Sequence, residues 1–233
     1  MKVRHILPDL LMLTDGGINM YALQTNDGTI LVDCGTEAMG PTILQHVVSQ
    51  DPLLGIIVTH AHYDHAGGAA LVAKETGAPV WMHETDAALV ADGRWKRPAR
   101  HAGTPLSWLL NRQVVEKAPA TIPKLQVTHR LNGNQQIALA NGIEAHEMPG
   151  HSAGQIALTW ENRDGRRVLF AADTCMNVFG LTQPIIYESA SDGRASIATL
   201  ADLSEQADLM VFGHGRPLKN PYGKMRRFAQ RVG

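Results

Sequence analysis

Four residues of metal-binding type lie close together directly after a predicted buried strand. The apolar segment 53–58 predicts the strand, and the pattern H-x-H-x-D-H follows it. Alternate side chains of an extended backbone point to one face, so His60 and His62 can both reach one metal ion. Asp64 and His65 fall where the chain turns into the next helix, and they can serve a second ion nearby. The fold must therefore place this loop beside further ligands.

Further donors must come from other parts of the fold, because these four residues are too few for two metal sites. His151 lies in a Gly-flanked loop between two predicted strands, and Asp173 ends the apolar run 168–172. His214 lies between two glycines after the apolar run 209–212. Each of the three lies at a strand end beside small residues, which is where sites on rigid scaffolds form.

Predicted strands and helices alternate along the chain. Apolar runs on both sides of Asn26-Asp27-Gly28 predict a hairpin near the N-terminus. The spacing of apolar residues predicts helices at about 37–50, 69–76 and 195–206, and strands at about 80–82, 143–148, 155–160, 168–172 and 209–212. This order predicts an α/β fold of two packed sheets covered by helices.

The motifs H-x-H-x-D-H, G-H-S-x-G, an Asp after an apolar strand, and G-H-G occur in this order between residues 58 and 215. In this the chain resembles the metallo-β-lactamase superfamily. The resemblance implies a four-layer αββα sandwich of two mixed β-sheets flanked by helices. It also implies His60, His62 and His151 on a first ion, Asp64, His65 and His214 on a second, and Asp173 bridging the two.

The implied chemistry is hydrolysis at two metal ions. Imidazole and carboxylate ligands without thiolate suit two Zn ions, and Mn or Fe fit as well. Coordination lowers the pKa of water toward about 7, so a nucleophile is available at neutral pH. With Asp64 as the catalytic carboxylate that manages the proton, we expect cleavage of a lactone, thioester or other activated ester of a small, anionic metabolite.

Residues 93–131 differ from the rest in charge, with eight Lys and Arg residues against one Glu. We interpret the segment as an insertion in a single domain of residues 1–233, because it has too few apolar residues for its own core. It is either a solvated face or a lid that attracts an anionic substrate, with Trp95 or Trp108 as an apolar wall. Tyr187 is a further candidate for a substrate contact.

Two other activities of the superfamily and one non-enzymatic function stay open. A persulfide dioxygenase would use one iron, a β-lactamase-like enzyme would cleave an amide, and a sensor would bind metal or ligand without turnover. The net charge of −1 argues against nucleic-acid and membrane partners. Because no secretory signal or long apolar segment is recognisable, we expect a cytoplasmic location. The sequence does not indicate the oligomeric state.

Overall fold

Short strands and helices make up most of the residues that the computed structural model describes, which are 1–47, 51–95, 100–101, 112, 118–139 and 142–233. The strands are β1 (Lys2–Leu7), β2 (Leu10–Asp15), β3 (Ile18–Gln24), β4 (Thr29–Val32), β5 (Leu53–Ile57), β6 (Val80–His83), β7 (Arg100–His101), β8 (His129–Leu131), β9 (Gln135–Gln136), β10 (Ile143–Glu147), β11 (Ile156–Glu161), β12 (Arg167–Phe170), β13 (Met176–Asn177), β14 (Leu181–Thr182), β15 (Ile186–Tyr187), β16 (Leu209–Val211) and β17 (Leu218–Lys219). The α-helices are α1 (Gly40–Val47), α2 (Tyr63–Ala66), α3 (Ala69–Thr76), α4 (Glu84–Ala91), α5 (Ala190–Leu203) and α6 (Tyr222–Val232).

Two mixed sheets organise these strands. Within the described residues, the first has seven strands in the order β1-β2-β3-β4-β5-β6-β8, and the second has six in the order β17-β16-β12-β11-β10-β9. In the first sheet, β1 to β4 pair antiparallel and β4, β5, β6 and β8 pair parallel. In the second, the parallel neighbours β12 and β16 end at the same edge. None of the described helices is both long and apolar enough to cross a membrane.

Alternating side chains of the strands divide the interior into layers. In β3, Met20 and Ala22 pack in the cluster shared with α1, α3 and α4, whereas Tyr21 and Leu23 pack against the second sheet. In β12, Leu169 packs in the cluster shared with α5 and α6. Because successive side chains of a strand point to opposite faces, each sheet is buried on both sides. The predicted αββα sandwich is confirmed.

Most predicted elements occur with small shifts at their ends. The N-terminal hairpin is formed by β3 and β4. Helix α5 begins several residues before the predicted helix, at Ala190, because the hydroxyl of Ser189 accepts a hydrogen bond from the backbone N–H of Asp192 and caps the helix. The short pairs β7/β15 and β13/β14 and helix α6 were not predicted.

About half of the basic segment 93–131 lies outside the described residues. Its described ends pack on the first sheet and its helices, where Trp95, Ile122 and Leu125 are buried. The indole N–H of Trp95 donates to the Pro119 carbonyl over 2.9 Å and joins the two ends. This packing agrees with an insertion, and the boundary of a single domain over the whole chain stays a prediction.

Phe170 provides a test of the packing between the two sheets. It is buried, and its ring contacts Tyr21 edge to face with 5.5 Å between centroids. We expect Phe170→Ala to lower the free energy of unfolding by about 3–5 kcal/mol, because the substitution leaves a cavity between the sheets. Phe179→Ala, at a fully exposed phenylalanine, should change it by less than about 0.5 kcal/mol. Denaturant unfolding measures both variants, and equal losses would contradict this packing.

Candidate metal centre

The seven predicted metal ligands meet in one cluster. They form three overlapping groups, within each of which the potential ligand atoms lie no more than 4.8 Å apart. The groups are His60, His62 and His151, then His60, His65 and Asp173, and finally Asp64, His65 and His214. Each group therefore combines two residues from the loop and helix after β5 with one residue from the second sheet.

The strand ends explain why these residues meet. The loop after β5 carries His60 and His62, and His62 is the N-cap of α2, which contains Asp64 and His65. Asp173 and His214 follow β12 and β16, and these strands are parallel neighbours whose carboxyl ends lie side by side. His151 lies in the connection between β10 and β11. Both sheets thus end at the cluster.

Hydrogen bonds fix the orientation of four imidazole rings. In each of them Nδ1 has a hydrogen-bond partner outside the cluster. The pairs are His60 with Thr59 Oγ1 at 3.0 Å, His65 with Asp33 Oδ2 at 2.9 Å, His151 with the Ile186 carbonyl at 2.7 Å and His214 with the Gly17 carbonyl at 3.0 Å. A carbonyl or carboxylate oxygen only accepts, so Nδ1 carries a proton in His65, His151 and His214. The Thr59 hydroxyl donates its proton to Asp33 and therefore accepts from Nδ1 of His60. Nε2 of each ring is thus the nitrogen left for the cluster.

The inner atoms of the cluster lack hydrogen-bond partners. Among the described residues, the buried atoms concerned are Nε2 of His60, His62, His65 and His151 and Oδ1 of Asp173. Each such atom costs about 1–3 kcal/mol when it has no partner. Imidazole nitrogens and carboxylate oxygens are ligands that divalent transition metals prefer. The residues therefore fit a metal centre in both geometry and chemistry.

The first group presents neutral imidazoles. Burial lowers the pKa of His60 well below its usual value, and the neighbouring histidines lower it further. Burial and His151 lower the pKa of His62 to about 3. The pKa of His151 is also lowered by burial. Neutral imidazole is the form that coordinates a metal ion, so no proton has to leave this group when a cation binds.

The other two groups, which share His65, are organised around negative charge. Burial opposes the protonated forms of His65 and His214, but adjacent carboxylates raise the pKa of His65 well above its usual value and that of His214 to about 10. Burial likewise opposes ionisation of Asp173, but His214 and His65 hold its pKa well below its usual value. The carboxylates Asp64 and Asp173 thus require positive charge beside them, and a divalent cation supplies it in place of protons.

Comparison with known proteins identifies the family. The sequence model of the metallo-β-lactamase superfamily matches residues 13–214. The chain belongs to this superfamily. The predicted family is therefore confirmed.

Individual relatives in the superfamily are distant. Hydroxyacylglutathione hydrolase of Shewanella pealeana is 26% identical over 202 residues, which cover 81% of this chain and 60% of the relative. The protein of the same name from Albidiferax ferrireducens is 30% identical over 167 residues, which cover 71% of this chain and 50% of the relative. The chain thus spans half to three fifths of the length of these curated relatives.

Solved structures show the same fold. BJP-1, a subclass B3 metallo-β-lactamase of Bradyrhizobium japonicum, superposes with a TM-score of 0.72 at 23% identity. The superposition covers 100% of this chain and 90% of that protein.

Asp33 supports the metal centre from behind, and the sequence analysis missed it. Its Oδ1 accepts the Thr59 backbone N–H at 2.8 Å. Its Oδ2 accepts the Thr59 hydroxyl at 2.8 Å and His65 Nδ1–H at 2.9 Å. The carboxylate therefore orients a ligand and the loop that precedes it. Asp33 follows the apolar strand β4, the same signal that indicated Asp173.

Asp86 joins two ligand loops and was also missed. Its buried carboxylate accepts the backbone N–H of Ala61 at 2.7 Å, the hydroxyl of Ser152 at 2.7 Å and the N–H of Gly154 at 3.0 Å. Ala61 lies between His60 and His62, and Ser152 follows His151 in sequence. Asp86 thus fixes the two halves of the first group relative to each other. No local pattern in α4 could have indicated this role.

The loop of His214 is held by the first sheet. Asn19 Nδ2 donates to the carbonyls of Phe212 at 3.0 Å and Gly215 at 2.8 Å, and the Tyr21 hydroxyl donates to the Phe212 carbonyl at 2.7 Å. At Gly213, a Cβ atom would collide with Asp173 Oδ1 and with the ring of His65. This glycine is therefore required for the close packing of the cluster.

The predicted substrate residues lie at different places. Trp95 lines the pocket over the cluster, and its ring stands nearly perpendicular to that of His62 with 6.0 Å between centroids. Tyr187 lines a separate cavity of about 70 Å³, while its strand neighbour Ile186 lines the pocket over the cluster. Trp108 lies outside the described residues.

Removal of bound metal should lower the melting temperature of the protein. The ligand atoms would remain buried without partners, and a ligand present at 1,000 times its Kd adds about 4 kcal/mol to stability. Calorimetry of metal-loaded, chelated and reloaded protein measures the effect. In His60→Ala, the difference between the loaded and chelated forms should be smaller. An unchanged melting temperature in a sample that elemental analysis shows to be metal-free would contradict the assignment.

Asp33→Asn should weaken binding of metal by the two groups that contain His65. The amide cannot accept all three hydrogen bonds, and loss of such a supporting partner typically reduces metal affinity by about 10–100-fold. Competition with a chromogenic chelator measures the affinity. Asp27→Asn, at an exposed turn, is the matched control and should bind as the unmodified chain does. Equal metal affinities in the two variants would show that Asp33 does not support the metal centre.

Proposed function

We propose that the chain is a dinuclear metal-dependent hydrolase that cleaves a thioester, a lactone or another activated ester. The observation that supports this most strongly is the convergence of the seven predicted ligands, five of which have an inner atom that is buried without a hydrogen-bond partner among the described residues. Two relatives carry the name hydroxyacylglutathione hydrolase, and we therefore assign hydrolysis as the class of reaction.

Two ions would be held by the groups already described. His60, His62 and His151 would hold one, and Asp64, His65 and His214 would hold the other. Asp173 lies between the groups, with its carboxylate oxygens 3.3–3.6 Å from Nε2 of His65, His151 and His214. When bound, divalent ions, for which Zn²⁺ is the first candidate, supply a water of lowered pKa and polarise a carbonyl oxygen.

The residues of the chain position the reactants. Asp64 lines the pocket, and its Oδ2 lies 3.5 Å from His214 Nε2. In the proposed reaction its carboxylate would receive a proton from water that enters the cluster. The pocket has a volume of about 360 Å³, which fits a small molecule. The predicted anionic group on the substrate depends on the segment 93–131 and stays a prediction.

Elemental analysis of protein purified without added metal tests the proposal, together with a hydrolysis panel on the same sample. About two zinc ions per chain and turnover of a thioester or lactone would support it. One iron per chain with oxygen consumption on a persulfide would replace it with a dioxygenase. Turnover of β-lactams alone would indicate an amide hydrolase. Full metal occupancy with no turnover on any substrate would indicate a sensor.

His60→Ala should abolish hydrolysis, because His60 belongs to two of the three ligand groups. We expect kcat/KM to fall by more than the roughly 100-fold typical of a residue that only supports a ligand. His5→Ala, at an exposed histidine of β1, is the control and should retain full activity. Circular dichroism verifies that both variants fold. Substantial turnover by folded His60→Ala would refute the proposed mechanism.

A further inference from the structure

The pocket over the cluster has two chemically different parts. Ligand side chains of the cluster form one part, and six apolar side chains contribute to the rest. These are Ile18, Trp95, Met176, Val178, Ile185 and Ile186, which we call the apolar wall. Apart from Asp64 and Asp173 of the cluster, the described lining contains no acid, and it contains no Lys or Arg. A charged group of a ligand at this wall would lose its hydration without gaining a partner there.

Hydrogen bonds join the apolar wall to His151 and to the loop of His214. The Ile186 carbonyl accepts His151 Nδ1–H, so this residue of the wall is fixed relative to a ligand. The β13/β14 hairpin carries Met176 and Val178. It is joined to the segment after His214 by the N–H of Asn177, which donates to the His214 carbonyl at 3.2 Å, and by the N–H of Arg216, which donates to the Asn177 carbonyl at 2.8 Å. The wall is therefore preformed beside the cluster.

The turn of the β13/β14 hairpin also exposes two apolar side chains to solvent. Val178 is 45% exposed, and Phe179 at the tip is fully exposed. Large apolar side chains in a continuous exposed patch are typical of binding sites. Val178 lines the pocket and precedes Phe179 in sequence, so the apolar wall leads to an exposed apolar residue at the hairpin tip.

We propose that the apolar wall binds a medium-length acyl chain of the substrate. The inference rests on the proposed function, because it names the substrate class of the same site. The pocket of about 360 Å³ has room for roughly twelve groups the size of water at about 30 Å³ each. With the reacting carbonyl group placed at the cluster, a chain of about six to eight carbons fits this space.

A series of thioesters with one leaving group tests the inference on the metal-loaded protein. We measure kcat/KM for acetyl, butyryl, hexanoyl and octanoyl thioesters of N-acetylcysteamine. Each methylene buried against the wall should raise kcat/KM by about fourfold until the pocket is filled. Values that stay constant or fall along the series would overturn the inference.

A substitution in the wall shows where the selectivity arises. Val178→Ser should lower the ratio of octanoyl to acetyl turnover several-fold, because it places a hydroxyl on the path of the chain. Val3→Ser is the matched control, since Val3 is 38% exposed on β1 and does not line the pocket. Its ratio should equal that of the unmodified protein. An unchanged ratio in Val178→Ser would show that the wall does not select the substrate.

Binding without turnover separates the two proposals. Calorimetry compares octanoate with butyrate on the metal-loaded protein and on Val178→Ser. If no thioester, lactone or other activated ester is hydrolysed but octanoate binds more tightly than butyrate and Val178→Ser reduces that preference, the hydrolase fails and the acyl site stands. If thioesters are hydrolysed without chain-length preference and the two carboxylates bind equally, the acyl site fails and the hydrolase stands.

Discussion

The buried carboxylate of Asp173 is the group on which the arrangement of the site depends. It is 2% exposed and is surrounded by imidazoles that arrive from both sheets. A buried negative charge is unstable unless positive charge and hydrogen-bond donors surround it. The parallel pair β12 and β16 places His214 beside Asp173, and the loop after β5 brings His65 from the other sheet. The two sheets of the sandwich thus supply the imidazoles that stabilise the charge of Asp173.

Two further carboxylates hold the ligand loops in place by accepting hydrogen bonds, among them bonds from backbone N–H groups. Asp33 acts within the first sheet, where it joins the end of β4 to the loop after β5. Asp86 acts between layers, because it binds N–H groups on both sides of the first ligand group. Neither residue would touch a metal ion, yet both determine where the ligands lie. Acidic residues therefore form the framework of the centre as well as part of its ligand set.

The sequence predicted which residues come together in the cluster because they lie in short motifs at the ends of apolar strands, where spacing is visible. It also predicted the layers, because the alternation of strands and helices is regular. It missed Asp86 because its partners lie 25 to 68 residues away, and no local pattern records such contacts. Pairs such as β13/β14, with two residues in each strand, are too short for periodicity. Tyr187 lines the smaller cavity because strand geometry sends it and Ile186 to opposite sides.

The composition of the three ligand groups limits when the centre can form during synthesis of the chain. Each group takes two residues from 60–65 and one residue from the second sheet, and the His214 loop is held in place by Asn19 and Tyr21 near the other end of the sequence. A nascent chain with only its first sheet complete therefore exposes half of a metal site and closes none. The ribosome must pass residue 151 before one group can close, and residue 214 before the last. An ion captured in the finished protein acts as a cross-link between the two sheets.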